Sequence, residues 1–435
     1  MTLFSISRDF LKRNYTKLAI YIFMTTLILS SHHSHAVTLE EAIALAKDTL
    51  PTYKASMMNV KSKDALYNAS LSPYFPTIDA SAAHERIYTS PDEFKTETYD
   101  LTLSYILFDW GIRRANRTIA CLNFDTSRED LRKTLLDLEF NVKVAFYTAL
   151  AQRDILEQRK IQLQDSQKDY EIAEGRYRFG VTTLSDKLLA SVRLEQSRFN
   201  LVRAEGNFKN ALSELSSFIG QPLDSQYTIQ GTLDLEQMPP DRGTLSQLVL
   251  ERPEIKQLEN SVKITEKTKN AIFGTFFPIF SVNASYIKTN GDPFFTGSIT
   301  EEKTAVIRAT WNIFELGKFF RFRSSEYEKN VSLENLNDLK RQLLLAVYRT
   351  YEDFMTTSKN LAVAEEQLKQ AEQNYSQALG EYKVGKGDIL SLVSAESLLA
   401  NAREQLITTK LNLVLSKASL DRVVGIQSLD ISMIQ

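Results

Sequence analysis

Few residues in this chain are equipped for bond-breaking chemistry. Of its four histidines, three lie in an N-terminal stretch that reads as a leader, leaving His84, and Cys121 is the single cysteine. An intrachain disulfide is therefore impossible, and a His/Cys metal cluster has no ligands. There is no glycine-rich phosphate loop and no pair of acids in a recognisable setting, so nothing supports an enzyme and no cofactor is expected. The distinctive chemistry is hydrogen bonding at a tight bend, and it is written twice: Gly175-Arg-Tyr-Arg-Phe-Gly180-Val-Thr-Thr-Leu-Ser-Asp186 and Gly380-Glu-Tyr-Lys-Val-Gly385-Lys-Gly-Asp-Ile-Leu-Ser391. In each phrase a glycine permits the left-handed conformation that ends a helix. The Thr, Ser and Asp residues just after it are suited to cap the next one.

The phrases stand 205 positions apart, the separation of Tyr177 from Tyr382. The same offset carries Tyr170 onto Tyr375, Ala173 onto Ala378, Ala190 onto Ala395, Leu194 onto Leu399 and Arg198 onto Arg403. An internal duplication is the simplest explanation, and each copy reads as a helical hairpin with a tight tip.

The elements that position these tips repeat as well. In the first half, Leu131, Leu135, Leu138, Val142, Ala145, Ala149, Gln152, Leu156, Arg159, Leu163, Ser166, Tyr170, Ala173 and Tyr177 keep alternating steps of four and three, a heptad-like seam. A continuous helix from Gly111 to Gly180 would be about 100 Å long. Return helices are expected over Leu184 to Ile219 and Ile389 to Val424. Before each long helix the period changes to two. Tyr99, Leu101, Leu103, Tyr105 and Leu107 alternate with Asp100, Thr102 and Ser104, and Thr77 to Tyr88 alternates more weakly. The second half repeats this with Phe280, Val282, Ala284 and Tyr286, then, after a loop containing Asn290-Gly-Asp-Pro293, with Ala305, Ile307, Ala309, Trp311 and Ile313. Strands are thus expected at about 77–88, 98–108, 279–288 and 304–314. Their length of about ten residues suits an outer-membrane barrel, while a soluble sheet with its apolar face on a core has the same alternation.

The N-terminus carries Arg8, Lys12, Arg13 and Lys17, then the apolar run Leu18 to Leu29, then Ser34-His35-Ala36. This reads as a secretory signal peptide over 1–36. A retained anchor is the alternative, but the run falls short of the roughly 20 residues of a spanning helix. No cysteine stands at the cleavage site, so lipid attachment there is not expected. The domain reading is a first repeat over 37–220, a linker over 221–243 with a small strand, a second repeat over 244–425 and a short tail over 426–435. A net charge of −2 with no basic run argues against nucleic acid.

Four strands cannot close a barrel, and open edges in lipid leave backbone groups unpaired. Strands in a membrane would therefore require an oligomer whose helices form a wall on one side. A secreted or periplasmic coiled-coil structural or interaction protein is the competing reading, but it leaves the alternating segments, entered through Pro76 and Pro278, unexplained. The signal peptide, the duplicated helix-strand-strand-helix halves and the Tyr-x-x-Gly tips together resemble the TolC family of outer-membrane efflux proteins, across essentially the whole mature chain. Any one of these motifs is weak; their order and duplication are specific. The resemblance implies a mainly α fold with a transmembrane β-barrel: a homotrimer whose 12-stranded barrel in outer-membrane lipid continues into a long α-helical barrel. It also implies a passive exit duct for efflux or type I secretion, working with a periplasmic adaptor and an inner-membrane transporter. Tyr177, Gly180, Asp186, Tyr382, Gly385, Asp388, Ser391 and Ser394 would then stand at the periplasmic entrance. Tyr99, Leu101, Leu103, Tyr105, Leu107, Ile307 and Trp311 would face lipid. Positional match further implies an Asp186 to Tyr382 link in the closed state, with packing alone for Tyr170 and Tyr375. Two departures stand out. Gly387 occupies the position of the family's tip arginine, and Ser391 and Ser394 occupy those of its acidic selectivity ring, leaving Asp388 or Glu396 as possible replacements.

Overall fold

The computed structural model describes residues 36–90, 92–224, 227–235, 238–291 and 301–426. The expected signal peptide except its last residue, Ala36, and the expected C-terminal tail except Ile426 lie outside the described residues, as do Asp292 and Pro293 of the expected loop. The chain opens with a short strand β1 (Ala36–Val37), helix α1 (Leu39–Thr49) and helix α2 (Pro51–Ala69), followed by β2 (Thr77–Thr89) and β3 (Asp92–Phe108). Helix α3 (Ile112–Arg178) and its return α4 (Leu184–Ile219) complete the first half. A linker with β4 (Thr228–Ile229), which pairs in parallel with β1, leads to α5 (Arg242–Leu248) and α6 (Pro253–Gly274). Strands β5 (Ile279–Gly291) and β6 (Glu301–Thr310) and helices α7 (Leu316–Lys383) and α8 (Ile389–Val424) then repeat the plan.

At 67 and 68 residues, α3 and α7 are each about 100 Å long. Such lengths are stable because side chains at heptad spacing are buried against neighbours, not because of local propensity. Val142, Ala145 and Ala149 of the expected seam are fully buried, together with Phe146 and Leu150 on the adjoining face. They form the main core with Ala42 and Ala46 of α1, Leu215 and Ile219 of α4, Ile229 of β4, and Ile407 and Val414 of α8. This core girdles the middle of the molecule, where the short elements wrap the long helices. A smaller core repeats it in the second half, from Leu245, Val249, Val347, Leu420 and Val424. Below this belt the long helices run on as two hairpins, α3 with α4 and α7 with α8, and α3 lies against α8.

At the other end the four strands form one antiparallel sheet in the order β2-β3-β5-β6, with β2 and β6 as its edges. Register brings like faces together. Leu103 stands opposite Ile78 and Ala284, Ala284 opposite Ala305, and Val282 opposite Tyr105 and Ile307, which makes one face apolar. The other face collects Asp79, Ser81, Asp100, Thr102, Ser104, Asn283, Ser285 and Thr304. No core covers the apolar side: Ile78, Tyr99, Leu101 and Ile307 are exposed, Ile307 by 75%. This removes the soluble-sheet reading, which needs a covered face. Among the described residues no helix is long and apolar enough to cross a membrane.

Three differences from the expected strands have local causes. β3 begins six residues before 98, in a polar extension that pairs with β2 as far as Thr89 opposite Asp92, so the hairpin outgrows its apolar band. A bulge leaves Leu107 without a partner and brings Phe108, not Leu107, opposite Phe280. β6 stops at Thr310, so Trp311 stands just beyond the strand, where its indole N–H donates to the Phe276 carbonyl at 3.0 Å. Trp110 does the same to the Pro278 carbonyl at 2.8 Å. With Phe108, Phe273, Phe276, Phe277, Phe319 and Phe322 in ring contact around them, the two indoles mark an aromatic band at the junction of sheet and helices.

Candidate functional site

The site is built from the two hairpin tips and the seam between the hairpins just above them. Gly180 and Gly385 take φ of 71° and 80°, so each long helix ends in a left-handed residue, as their side-chain-free backbone allows. The return helices then start on caps that differ in kind. In the first tip the Thr183 hydroxyl accepts from Asp186 N at 3.2 Å and Asp186 accepts from Thr183 N at 3.2 Å, a reciprocal box. In the second, Asp388 alone accepts from Ser391 N at 2.6 Å. These donors hold both carboxyls below the usual carboxylate range, the Thr182 hydroxyl foremost at Asp186 and the Ser391 amide foremost at Asp388.

The expected Asp186 to Tyr382 link is not made within this chain. Asp186 is occupied by Thr182 and Thr183, and the Tyr382 hydroxyl, though buried, has no hydrogen-bond partner among the described residues. Tyr382 is nonetheless the pivot of the tips. At 1% exposure it packs with Ala173, Ala190, Ile389 and Leu392, joining all four helices. The Arg176 guanidinium lies over its ring, 4.4 Å from the centroid, and donates to its backbone carbonyl. Arg176 thus reaches from the first hairpin to the second, the reverse of the direction that an arginine at position 387 would take. A side chain at Gly387 would crowd Tyr382 itself, since a Cβ there comes within 3.2 Å of the Tyr382 nitrogen. Arg176 was not singled out from the sequence, because an arginine beside a helix end is ordinarily a solvated cation.

Above Tyr382 the seam is polar. Arg193 Nε of α4 donates to Glu396 of α8 at 2.7 Å, Ser166 of α3 donates to the same carboxylate at 2.7 Å, and the Ser166 and Ser197 hydroxyls lie 2.6 Å apart. Asp169 of α3, buried beside them, accepts from the Tyr375 hydroxyl of α7 at 3.3 Å. Glu396 therefore does not replace the acidic ring, because it is sealed between the hairpins of the chain by an arginine and a serine. Tyr375 does more than pack. Burial first, then the nearby Glu396, raise the Asp169 carboxyl to about 7. Higher still, Arg159 bonds Gln162 at 2.7 Å and pairs with Glu404, and Arg403 pairs with Asp165 at 3.5 Å.

The remaining entrance candidates are Asp388, Ser391 and Ser394, all exposed on α8, and Tyr177. Tyr177 closes the expected seam on paper, yet it is exposed, with the Lys187 ammonium 5.8 Å from its ring. On the sheet, Tyr99, Leu101, Leu103 and Tyr105 share one face with Ile307 through the register given above. Nothing in this arrangement gathers a nucleophile, a base and an oxyanion donor, and among the described residues no acid, histidine or cysteine cluster has the makings of a metal site. The chemistry available is that of hydrogen bonds and ion pairs between two hairpins, beneath a sheet with one apolar and one polar face.

Comparison with known proteins agrees with this architecture. The family model described as outer membrane efflux protein matches residues 42–221 and 244–426. The probable efflux pump outer membrane protein TtgC of Pseudomonas putida is 22% identical over 417 residues, 90% of this chain and 83% of that protein. Protein CyaE of Bordetella pertussis is 28% identical over 188 residues, 42% of this chain and 40% of that protein. Among solved structures, the Campylobacter jejuni CmeC outer membrane channel superposes with a TM-score of 0.80 at 17% identity, covering 91% of this chain and 88% of that one. With both halves of the duplication matched and the channel fold reproduced, the chain belongs to the outer membrane efflux protein family.

Proposed function

We propose that three copies of this chain close into one continuous duct, the outer-membrane and periplasmic segment of a tripartite efflux or type I secretion machine, working with a periplasmic adaptor and an inner-membrane transporter. The observation that carries this is the sheet. Its four strands have an uncovered apolar face, a polar face and two unpaired edges, β2 and β6. In lipid each unpaired backbone group costs several kcal/mol, so the edges must be paired, and pairing β6 of one copy with β2 of the next closes a ring without a free edge. Three copies supply 12 strands, enough for a water-filled interior lined by the polar face.

The helices support the same closure. In the protomer α3 and α8 lie in the middle, leaving α4 and α7 as outer flanks. On α4, Leu184, Leu188, Val192, Phe199 and Val202 form an exposed stripe at helical spacing, and on α7 Leu344, Leu345, Tyr348 and Val363 are exposed. A neighbouring α7 against α4 would cover both, continuing the ring of helices below the ring of strands. The duct itself is passive in this reading, with transport driven by the inner-membrane transporter.

The test is the mass of the protein extracted in mild detergent from fractionated membranes, with and without heating. An outer-membrane species of three chains that collapses to one on boiling is the expected result. A soluble periplasmic monomer would overturn the proposal.

A further inference from the structure

The polar seam contains one feature that a static wall does not need. Glu396 is neutralised by Arg193 and hydrogen-bonded by Ser166, and Asp165 pairs with Arg403. Asp169, by contrast, is 4% exposed and has no ion-pair partner among the described residues. The titratable and charged groups around it are Asp165 on its own α3, Arg193 on α4 already committed to Glu396, Tyr375, Tyr382 and Lys383 on α7, and Glu396 on α8. A second carboxylate beside a satisfied one, under shared burial, carries its charge only at a cost to the packing. The position matters as much as the chemistry. Asp169 lies nine residues before the end of α3 at Arg178, about two and a half turns above the tip. Its hydrogen-bond partner Tyr375 and the neighbouring Glu396 belong to the opposite hairpin, the arm that would have to move for the entrance to widen.

We propose that Asp169, Tyr375 and Glu396 form a proton-operated latch between the two hairpins: neutral Asp169 keeps them packed and the entrance narrow, and release of its proton to water drives them apart. This rests on the reading of the chain as a duct. The direction follows from the two environments. In the packed seam burial and Glu396 hold the Asp169 proton up to about 7, whereas an opened, hydrated seam returns it towards the ordinary 3.8. Between those values the packed form binds the extra proton, so acid favours it, and raising the pH shifts the equilibrium towards the open form by up to tenfold per pH unit and protomer. Above about 7 both forms are ionised and the dependence flattens. The exit duct would thus be tight in acid surroundings and looser near neutrality, before any partner acts on it.

The experiment is open probability of the purified full-length protein in planar bilayers from pH 5 to pH 8. It is paired with infrared difference spectra over the same range, which detect a protonated carboxyl directly. Wild type is expected to open as pH rises, with a carboxyl band titrating in step. Asp169→Asn should lose the band and stay near its acid-side open probability at all pH values. Glu396→Gln, which removes the neighbouring charge, should move the midpoint to lower pH. A conducting wild type whose opening ignores pH, or an Asp169→Asn variant that keeps the wild-type profile, overturns the latch and leaves the duct standing. If correctly inserted protein conducts at no pH in any variant, it is the duct reading that fails, and the latch fails with it.

Discussion

The sharpest prediction separates Arg176 from the Tyr382 hydroxyl. In the protomer the hairpins meet at the tips through the Arg176 guanidinium, which is over the Tyr382 ring and bonded to its carbonyl, while the phenol oxygen is buried without a partner. Removing the guanidinium forfeits a partly desolvated cation–π contact of about 1 kcal/mol and one charge-assisted hydrogen bond of about 1.5 kcal/mol. Arg176 is only half-buried, so solvent takes back part of this, and about 2 kcal/mol per protomer remains, or roughly a 30-fold shift towards the parted state. If three protomers part together the shifts multiply to about 10⁴. If they part singly, each tip loosens by about 30-fold. Tyr382→Phe removes an oxygen that makes no well-formed hydrogen bond, with only the Thr182 hydroxyl nearby, so it is expected to change opening by less than about 0.5 kcal/mol. Open probability in planar bilayers at fixed pH measures both variants. Should Tyr382→Phe open the channel as far as Arg176→Ala, the hydroxyl is engaged after all, and the latch runs to Asp186 as the positional match implied.

Further outcomes follow from the same geometry. Arg193→Ala leaves Glu396, 3% exposed, as a buried carboxylate without its cation, and should cost about 3 kcal/mol in denaturant midpoint analysis, most of it recovered by the double change Arg193→Ala with Glu396→Gln. Phe146→Ala empties the centre of the main core and should cost about 3–5 kcal/mol in thermal or urea unfolding, far more than any exposed tip substitution. On the sheet, Leu103→Arg places a charge on the apolar face opposite Ile78 and Ala284 and should cost about 2–4 kcal/mol in folding from urea into bilayers, whereas Ser285→Arg on the polar face should cost little. Asp388→Asn is a clean probe of selectivity, because asparagine caps a helix as well as aspartate does. A reversal potential moved towards zero would place this ionised, exposed carboxylate at the entrance, and no movement would exclude it.

The legible and illegible parts of this molecule divide by mechanism. The change of period from 3.5 to two marks where backbone hydrogen bonding passes from within a helix to between strands, and residues such as Tyr99, Leu101 and Leu103 report it directly because alternate side chains must face different media. The duplication is legible because the offset holds over glycines and apolar positions alike. The site was harder to see. Ser166 and Ala173 belong to the visible seam of α3, but Asp169, between them by steps of three and four, faces the other hairpin, and a lone aspartate in a charged helix gives no sign of burial. Arg176 and Arg193 are likewise indistinguishable in sequence from the surface cations around them. Trp311 was placed one residue too deep because alternation continues past Thr310, while the strand ends where its indole finds the Phe276 carbonyl.

The distribution of contacts along the long helices explains why one end holds and the other can move. At the middle, α3 and α8 are joined with α1 and α4 through Val142, Phe146, Leu150, Leu215 and Ile407, apolar groups whose separation in water would cost about 1.5–3 kcal/mol for each large side chain. Between this belt and the small apolar cluster around Tyr382 at the tips, the hairpins meet through Arg159, Ser166, Asp169, Arg193 and Glu396, whose hydrogen bonds and ion pairs water can replace at a net cost nearer 1 kcal/mol each. Separation is therefore cheaper along this lower stretch, where only the small Tyr382 cluster is apolar, and becomes prohibitive at the belt. A hinge in that sense needs no flexible loop, because the same continuous helices serve as rigid wall where their seam is apolar and as arms where it is polar. Replacing the polar rungs by leucine would test this: such a variant is expected to be more stable than wild type and permanently closed, and a stabilised variant that still opened would show that the hairpins part elsewhere.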